Sequence, residues 1–94
     1  NRGIQRCKEE KYPAAIVDFN QVLQINPNLA EANYNRGLAY AKLGQYQAAI
    51  EDYTQVLRLN PNNANACNNR ANAYYKLGDY ERAIADNNQA LSIN

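Results

Sequence analysis

Sliding the chain along itself by 34 residues aligns Asn1-Arg2-Gly3 with Asn35-Arg36-Gly37 and Asn69-Arg70-Ala71 without a gap. The same step carries Tyr12 to Tyr46 and Tyr80, Ile16 to Ile50 and Ile84, Asp18 to Asp52 and Asp86, and Leu23 to Leu57 and Leu91. Self-similarity at such a period constrains the fold more than any composition does, because each copy must be one small unit that buries its faces against its neighbours.

Each copy reads as two helices. From Ala30 to Leu43 the residues Ala32, Gly37, Ala39, Tyr40 and Leu43 recur at helical spacing, and from Gln45 to Leu59 the set Tyr46, Ala49, Ile50, Tyr53, Val56 and Leu57 does the same. Gly44 is placed to end the first helix in a left-handed conformation, and Asn60-Pro61 to end the second. Gly37 and Ala71 are expected where the two helices of a hairpin approach closely. Arg2, Arg36 and Arg70 form one series and Asp18, Asp52 and Asp86 another, so Arg36 is expected to pair with Asp52 or with Asp18 of the preceding copy, its stem lying on the apolar layer.

Composition removes several function classes. The 94 residues carry a formal charge of +1 and no histidine, so neither a Cys/His zinc site nor the usual nucleophile triads can be assembled. No catalysis and no cofactor are expected. Cys7 and Cys67 sit among alanines and tyrosines in helical patterns and read as small packed thiols. No basic field exists to hold nucleic acid, and no apolar run is long enough to span a bilayer. The chain is therefore expected to be soluble, cytoplasmic rather than secreted, without nucleic-acid or membrane partners. Its first residue is Asn1, and its opening residues already follow a helical pattern, which suggests an excised piece of something longer.

At these residues the chain resembles the tetratricopeptide repeat family: the 34-residue period, the Leu-Gly-x-Tyr of Leu43, Gly44 and Tyr46 and of Leu77, Gly78 and Tyr80, the small Ala49 and Ala83, and Pro27 and Pro61 carry the resemblance. It implies an all-α fold, a right-handed superhelical array of antiparallel helix hairpins with about six helices, in one domain over 1–94. The copies would be 1–29, lacking its opening residues, then 30–63, then 64–94, short at its end; together they make about 2.75 repeats. The bulky residue common in the family's opening helix is Asn33 in the second copy and Cys67 in the third.

The resemblance also implies a concave groove, lined by the first helix of each repeat, that holds a peptide or a partner helix. First-helix residues not used for packing are the candidate contacts: Asn1, Ile4 and Lys8; Glu31, Tyr34, Asn35, Leu38 and Lys42; and Asn65, Asn68, Asn69, Asn72, Tyr75 and Lys76. Asn1, Asn35 and Asn69 form a ladder of amides able to pair with an extended backbone. Lys8, Lys42 and Lys76 form a parallel ladder that would favour an acidic peptide, although their place near helix C-termini also suits the helix dipole. Tyr34 and Tyr75 are the expected exposed aromatics; the other tyrosines are assigned to the core. The carboxylate clamp that grips chaperone tails is matched only at Asn35, with Ile4, Asn65 and Asn69 standing where its other readable residues would be, so chaperone-tail binding is not expected. A second function is open on the same residues: the closing helix, Tyr80 to Ile93, leaves Ile84 and Leu91 without a following helix, and two copies could pair through such ends.

Overall fold

The computed structural model describes Gly3, Ile4 and residues 11–93. Five helices with defined bounds follow one another: α1 (Tyr12–Ile25), α2 (Ala30–Lys42), α3 (Tyr46–Leu59), α4 (Ala64–Lys76) and α5 (Tyr80–Ile93). Gly3 and Ile4 are helical as well; the remainder of the helix expected ahead of α1, and with it Asn1, Arg2, Cys7 and Lys8, lies outside the described residues.

The helices stop where backbone chemistry makes them. Gly44 and Gly78 take φ of 78° and 83°, a region that costs a residue with a Cβ. Gly44 N–H donates to Ala41 O and Gln45 N–H to Tyr40 O, and the same pair of bonds recurs from Gly78 to Tyr75 and from Asp79 to Tyr74. These close the last turns of α2 and α4 in the Schellman manner. Leu43 is the residue between, outside the helix and 37% exposed, so it belongs to the turn rather than to the helical set read from the spacing. Helices α1 and α3 instead end on Asn26 and Asn60, both at strongly negative φ, whose N–H groups donate to Val22 O and Val56 O before the prolines.

Packing runs from neighbour to neighbour: α1 on α2, α2 on α3, α3 on α4 and α4 on α5, with a lighter contact between the first helices α2 and α4. That is the one-dimensional logic of a repeat stack. The core between hairpins is built from Val56 and Leu57 of α3, Ala66 and Cys67 of α4 and Ala90 of α5, with Tyr34, Ala64 and Ile93 against it. Tyr53 and Phe19, equivalent residues of successive copies, are among the largest fully buried side chains.

The close approach at Gly37 is real and has a definite partner. A Cβ there would lie 2.8 Å from Tyr53 Cε1 and 3.2 Å from Asp52 Cβ; at Gly3 it would lie 2.7 Å from Phe19 Cε1. In the third copy Ala71 stands at the glycine position and is buried, while the ring position holds exposed Asn87. Ring with glycine and amide with alanine are thus two solutions to one volume.

Arg36 and Arg70 are struts. Arg36 Nε and Nη2 donate to Asp52 Oδ2 and Oδ1 at 2.9 and 2.6 Å, and Arg70 Nε and Nη2 donate to Asp86 Oδ2 and Oδ1 at 2.7 Å each. The remaining Nη1 reaches one copy back, to Asn20 Oδ1 at 2.8 Å from Arg36 and to Thr54 Oγ1 at 3.3 Å from Arg70. Each guanidinium therefore ties three helices, α1, α2 and α3 or α3, α4 and α5. The hydrogen bond to its aspartate raises each arginine above its ordinary value, while burial pushes the Asp52 carboxyl upward against the pull of Arg36.

Candidate functional site: the face of the first helices

Helices α2 and α4 run in the same direction, each being the first of its hairpin, so their C-terminal turns share one edge of the face and their N-terminal turns the other. Between the C-terminal halves lies a groove of about 250 Å³ lined by Leu38, Ala41 and Lys42 of α2, Tyr46 and Tyr53 of α3, and Asn69, Asn72, Ala73 and Lys76 of α4. It brings together five of the residues singled out by sequence: Leu38, Lys42, Asn69, Asn72 and Lys76. Its floor is apolar and aromatic, with amides and two ammonium groups on its walls. Burial and the neighbouring Tyr34 push the Tyr53 hydroxyl upward, so the floor stays neutral through ordinary pH.

The other candidates are distributed along the face. Asn35 lines a smaller recess of about 180 Å³ with Ile4, Phe19, Val22, Leu29, Glu31 and Ala32. Asn35 and Asn69 thus open into successive recesses rather than one. Tyr34 and Asn65 border an N-terminal recess of about 320 Å³ with Ala30, Glu31, Asn60 and Asn63. Asn72 and Tyr75 also line a terminal recess of about 430 Å³ with Ala71, Tyr80, Ala83, Ile84 and Asn87. Asn68 is exposed and borders none of these four.

Three expectations about the aromatics and amides change. Tyr34 is half-buried, its ring 6.0 Å from that of Tyr53, and its hydroxyl accepts from Asn69 Nδ2 at 2.8 Å. It is a bridge between α2 and α4, and part of the Asn69 amide is spent on it. Tyr80, assigned to the core, is 56% exposed and meets Tyr75, itself 61% exposed, edge-on at 5.2 Å between ring centroids. Only Tyr53 among the tyrosines is fully buried; Tyr12, Tyr40, Tyr46 and Tyr74 are half-buried. Partial burial is common for rings that are apolar in the body and polar at the tip.

Asn33 is buried at 3% exposure, and its Nδ2 donates to Pro27 O at 3.3 Å and Leu29 O at 3.1 Å. The polar side chain in the family's bulky position satisfies carbonyls of the preceding turn. Cys67 fills the same place one copy on, fully buried, with burial pushing its thiol up. Among the described residues no group of three or more His, Cys, Asp or Glu could hold a metal ion, and no helix is long and apolar enough to cross a membrane.

The repeated hairpins, glycine-capped first helices and shared first-helix face define an α-helical repeat module of the kind that presents a groove. The model of the tetratricopeptide repeat matches residues 30–63 and 64–94, and a second TPR repeat model matches residues 3–44. The chain belongs to the tetratricopeptide repeat family.

Among solved structures it is similar to the second TPR of Spaghetti (RPAP3) bound to the HSP90 peptide SRMEEVD, at 30% identity and a TM-score of 0.94, covering 99% of this chain and 86% of that one. The first TPR of the same protein, bound to the same peptide, matches at 26% identity and a TM-score of 0.94 over 99% and 74%. A crystal structure of MamA matches at 26% identity and a TM-score of 0.93, covering 97% of this chain and 53% of that one. This chain spans about half the length of that protein. No curated protein sequence matches at a significant level.

Proposed function

We propose that the chain is a protein-interaction scaffold whose first-helix face, between α2 and α4, binds an extended peptide or a partner helix. The observation that carries this is the groove itself: an apolar floor of Leu38, Ala41 and Ala73 flanked by the amides of Asn69 and Asn72. Apolar area supplies affinity, and amides supply both donors and acceptors for a backbone whatever its side chains. The similarity to domains bound to a peptide supports the same reading. The two lysines on the wall give an acidic segment the advantage. Titration of a peptide panel by fluorescence anisotropy tests it: replacing Asn69 and Asn72 together by alanine should weaken binding about tenfold, in the range of two lost hydrogen bonds. Undiminished binding would move the site elsewhere.

A second reading has its own observation. On α5, Tyr80, Ile84 and Leu91 are 56%, 60% and 72% exposed, although the equivalent Ile50 and Leu57 of α3 are covered by α4. Such a stripe could pair two copies. Sedimentation at rising concentration would show a dimer, and a monomer throughout would dismiss it.

A further inference from the structure

The two edges of the first-helix face differ in charge. The edge made by the C-terminal turns carries Lys42 and Lys76, both exposed, both lining the groove, and no aspartate or glutamate lines it with them. The edge made by the N-terminal turns carries Glu31 with Asn60, Asn63 and Asn65, and no cation. Neither lysine enters a hydrogen bond or ion pair among the described residues.

The ordinary explanation of a lysine in a last helical turn is that it caps the free carbonyls. Here three of the last four carbonyls of each helix are already engaged. Leu43, Gly44 and Gln45 N–H groups donate to Ala39, Ala41 and Tyr40 oxygens at the end of α2, and Leu77, Gly78 and Asp79 do the same for Ala73, Tyr75 and Tyr74 at the end of α4. Both lysines line a groove with an apolar floor, where a carboxylate is less screened than on an open surface. Leu38, Ala41 and Ala73 offer contact to a methylene stem, and Asn72 can donate to a carboxylate oxygen.

Resting on the groove reading above, we propose that the space between Lys42 and Lys76 is a subsite for an acidic side chain of the bound peptide. The face thereby reads its ligand with a sense: carboxylates toward the C-terminal edge of α2 and α4, neutral or basic side chains toward Glu31.

An arrayed library of eight-residue peptides, acetylated and amidated so that terminal charges play no part, tests this against the intact chain. Selected peptides should carry Glu or Asp at one fixed position, with binding that weakens as salt rises. Lys42→Gln with Lys76→Gln should weaken those peptides about tenfold, the sum expected of two partly exposed ion pairs, and leave their Glu→Gln counterparts unchanged. Asn72→Glu, at an exposed position, should reject acidic peptides while accepting neutral ones. Selected peptides without an acid, or acidic peptides indifferent to both variants, overturn the subsite. Asn72→Trp separates this from the groove itself. If it blocks neutral peptides, the groove stands and only the acidic preference is lost; if no peptide is selected, or Asn72→Trp blocks none, both readings fall together.

Discussion

The second hairpin, α2 with α3, and the third, α4 with α5, have nearly the same helix lengths and the same terminal turns, yet they solve their interiors differently. The second places a glycine against a tyrosine ring, Gly37 beneath Tyr53, and an amide in the core at Asn33. The third places Ala71 near Asn87 and a thiol at Cys67. What they keep in common is the charged strut, which teaches that the register of the stack is held by a polar device while the apolar volume is free to drift.

The struts should therefore produce the largest effects. Asp52 and Asp86 side chains are 5% and 7% exposed, so Arg36→Ala or Arg70→Ala strands a nearly buried carboxylate. Each should cost about 3 kcal/mol in urea unfolding, the low end for a broken buried pair because the guanidinium is partly exposed. Arg36 should cost a few tenths more than Arg70, since its bond to Asn20 is shorter than that of Arg70 to Thr54. Replacing both Arg36 and Asp52 by leucine should recover most of the loss. A single-variant cost below that of an ordinary surface substitution would mean the pairs are decorative.

Next come the close approaches. Gly37→Ala drives a Cβ into the Tyr53 ring and should destabilise by about 2 kcal/mol, and Gly37→Leu by more, because a packed core resists added volume. The third hairpin sharpens this. Asn87→Tyr restores the ring opposite Ala71 and should be destabilising or neutral alone, but stabilising when combined with Ala71→Gly. The coupling between the two positions, obtained from a double-mutant cycle, decides it: additivity would show that ring and glycine are independent features. Asn33→Ala should cost about 1 kcal/mol by removing the amide donor to Pro27 O and Leu29 O.

The hairpins, the glycine caps, the Arg36–Asp52 pair and the bare outer residues of α5 were legible because each rests on a spacing that repeats or on a backbone requirement of one residue type. What failed to carry across was environment. Tyr80 occupies the position of Tyr46, and position alone suggested burial, but Tyr46 has α4 beside it and Tyr80 has no following helix among the described residues. Sequence puts Asn33 at the family's bulky position but does not show which loop carbonyls point inward; its two acceptors belong to the turn before α2. At the candidate site, periodicity placed Lys42 and Lys76 one repeat apart and the structure joins them in one groove. The amide ladder was less readable, since the Asn69 bond to Tyr34 links residues 35 apart in sequence and out of step with the repeat.

The smallest test concerns how the two first helices begin. Asn63 Oδ1 accepts from Ala66 N–H at 3.0 Å and so satisfies one of the free donors of α4, whereas Leu29 at the same place before α2 gives no side-chain cap. The energy of such a cap is about 1 kcal/mol, so Asn63→Ala should lower stability by that amount. Leu29→Asn should raise it by somewhat less, because Leu29 is 40% exposed but still borders the recess with Asn35, and its replacement forfeits some apolar contact. If the caps act locally, Asn63→Ala should also speed amide exchange in the first turn of α4 and leave α2 untouched. Equal acceleration in both helices would show that even this end effect is felt through the α2–α4 contact, and the two hairpins would then be one cooperative unit rather than two neighbours.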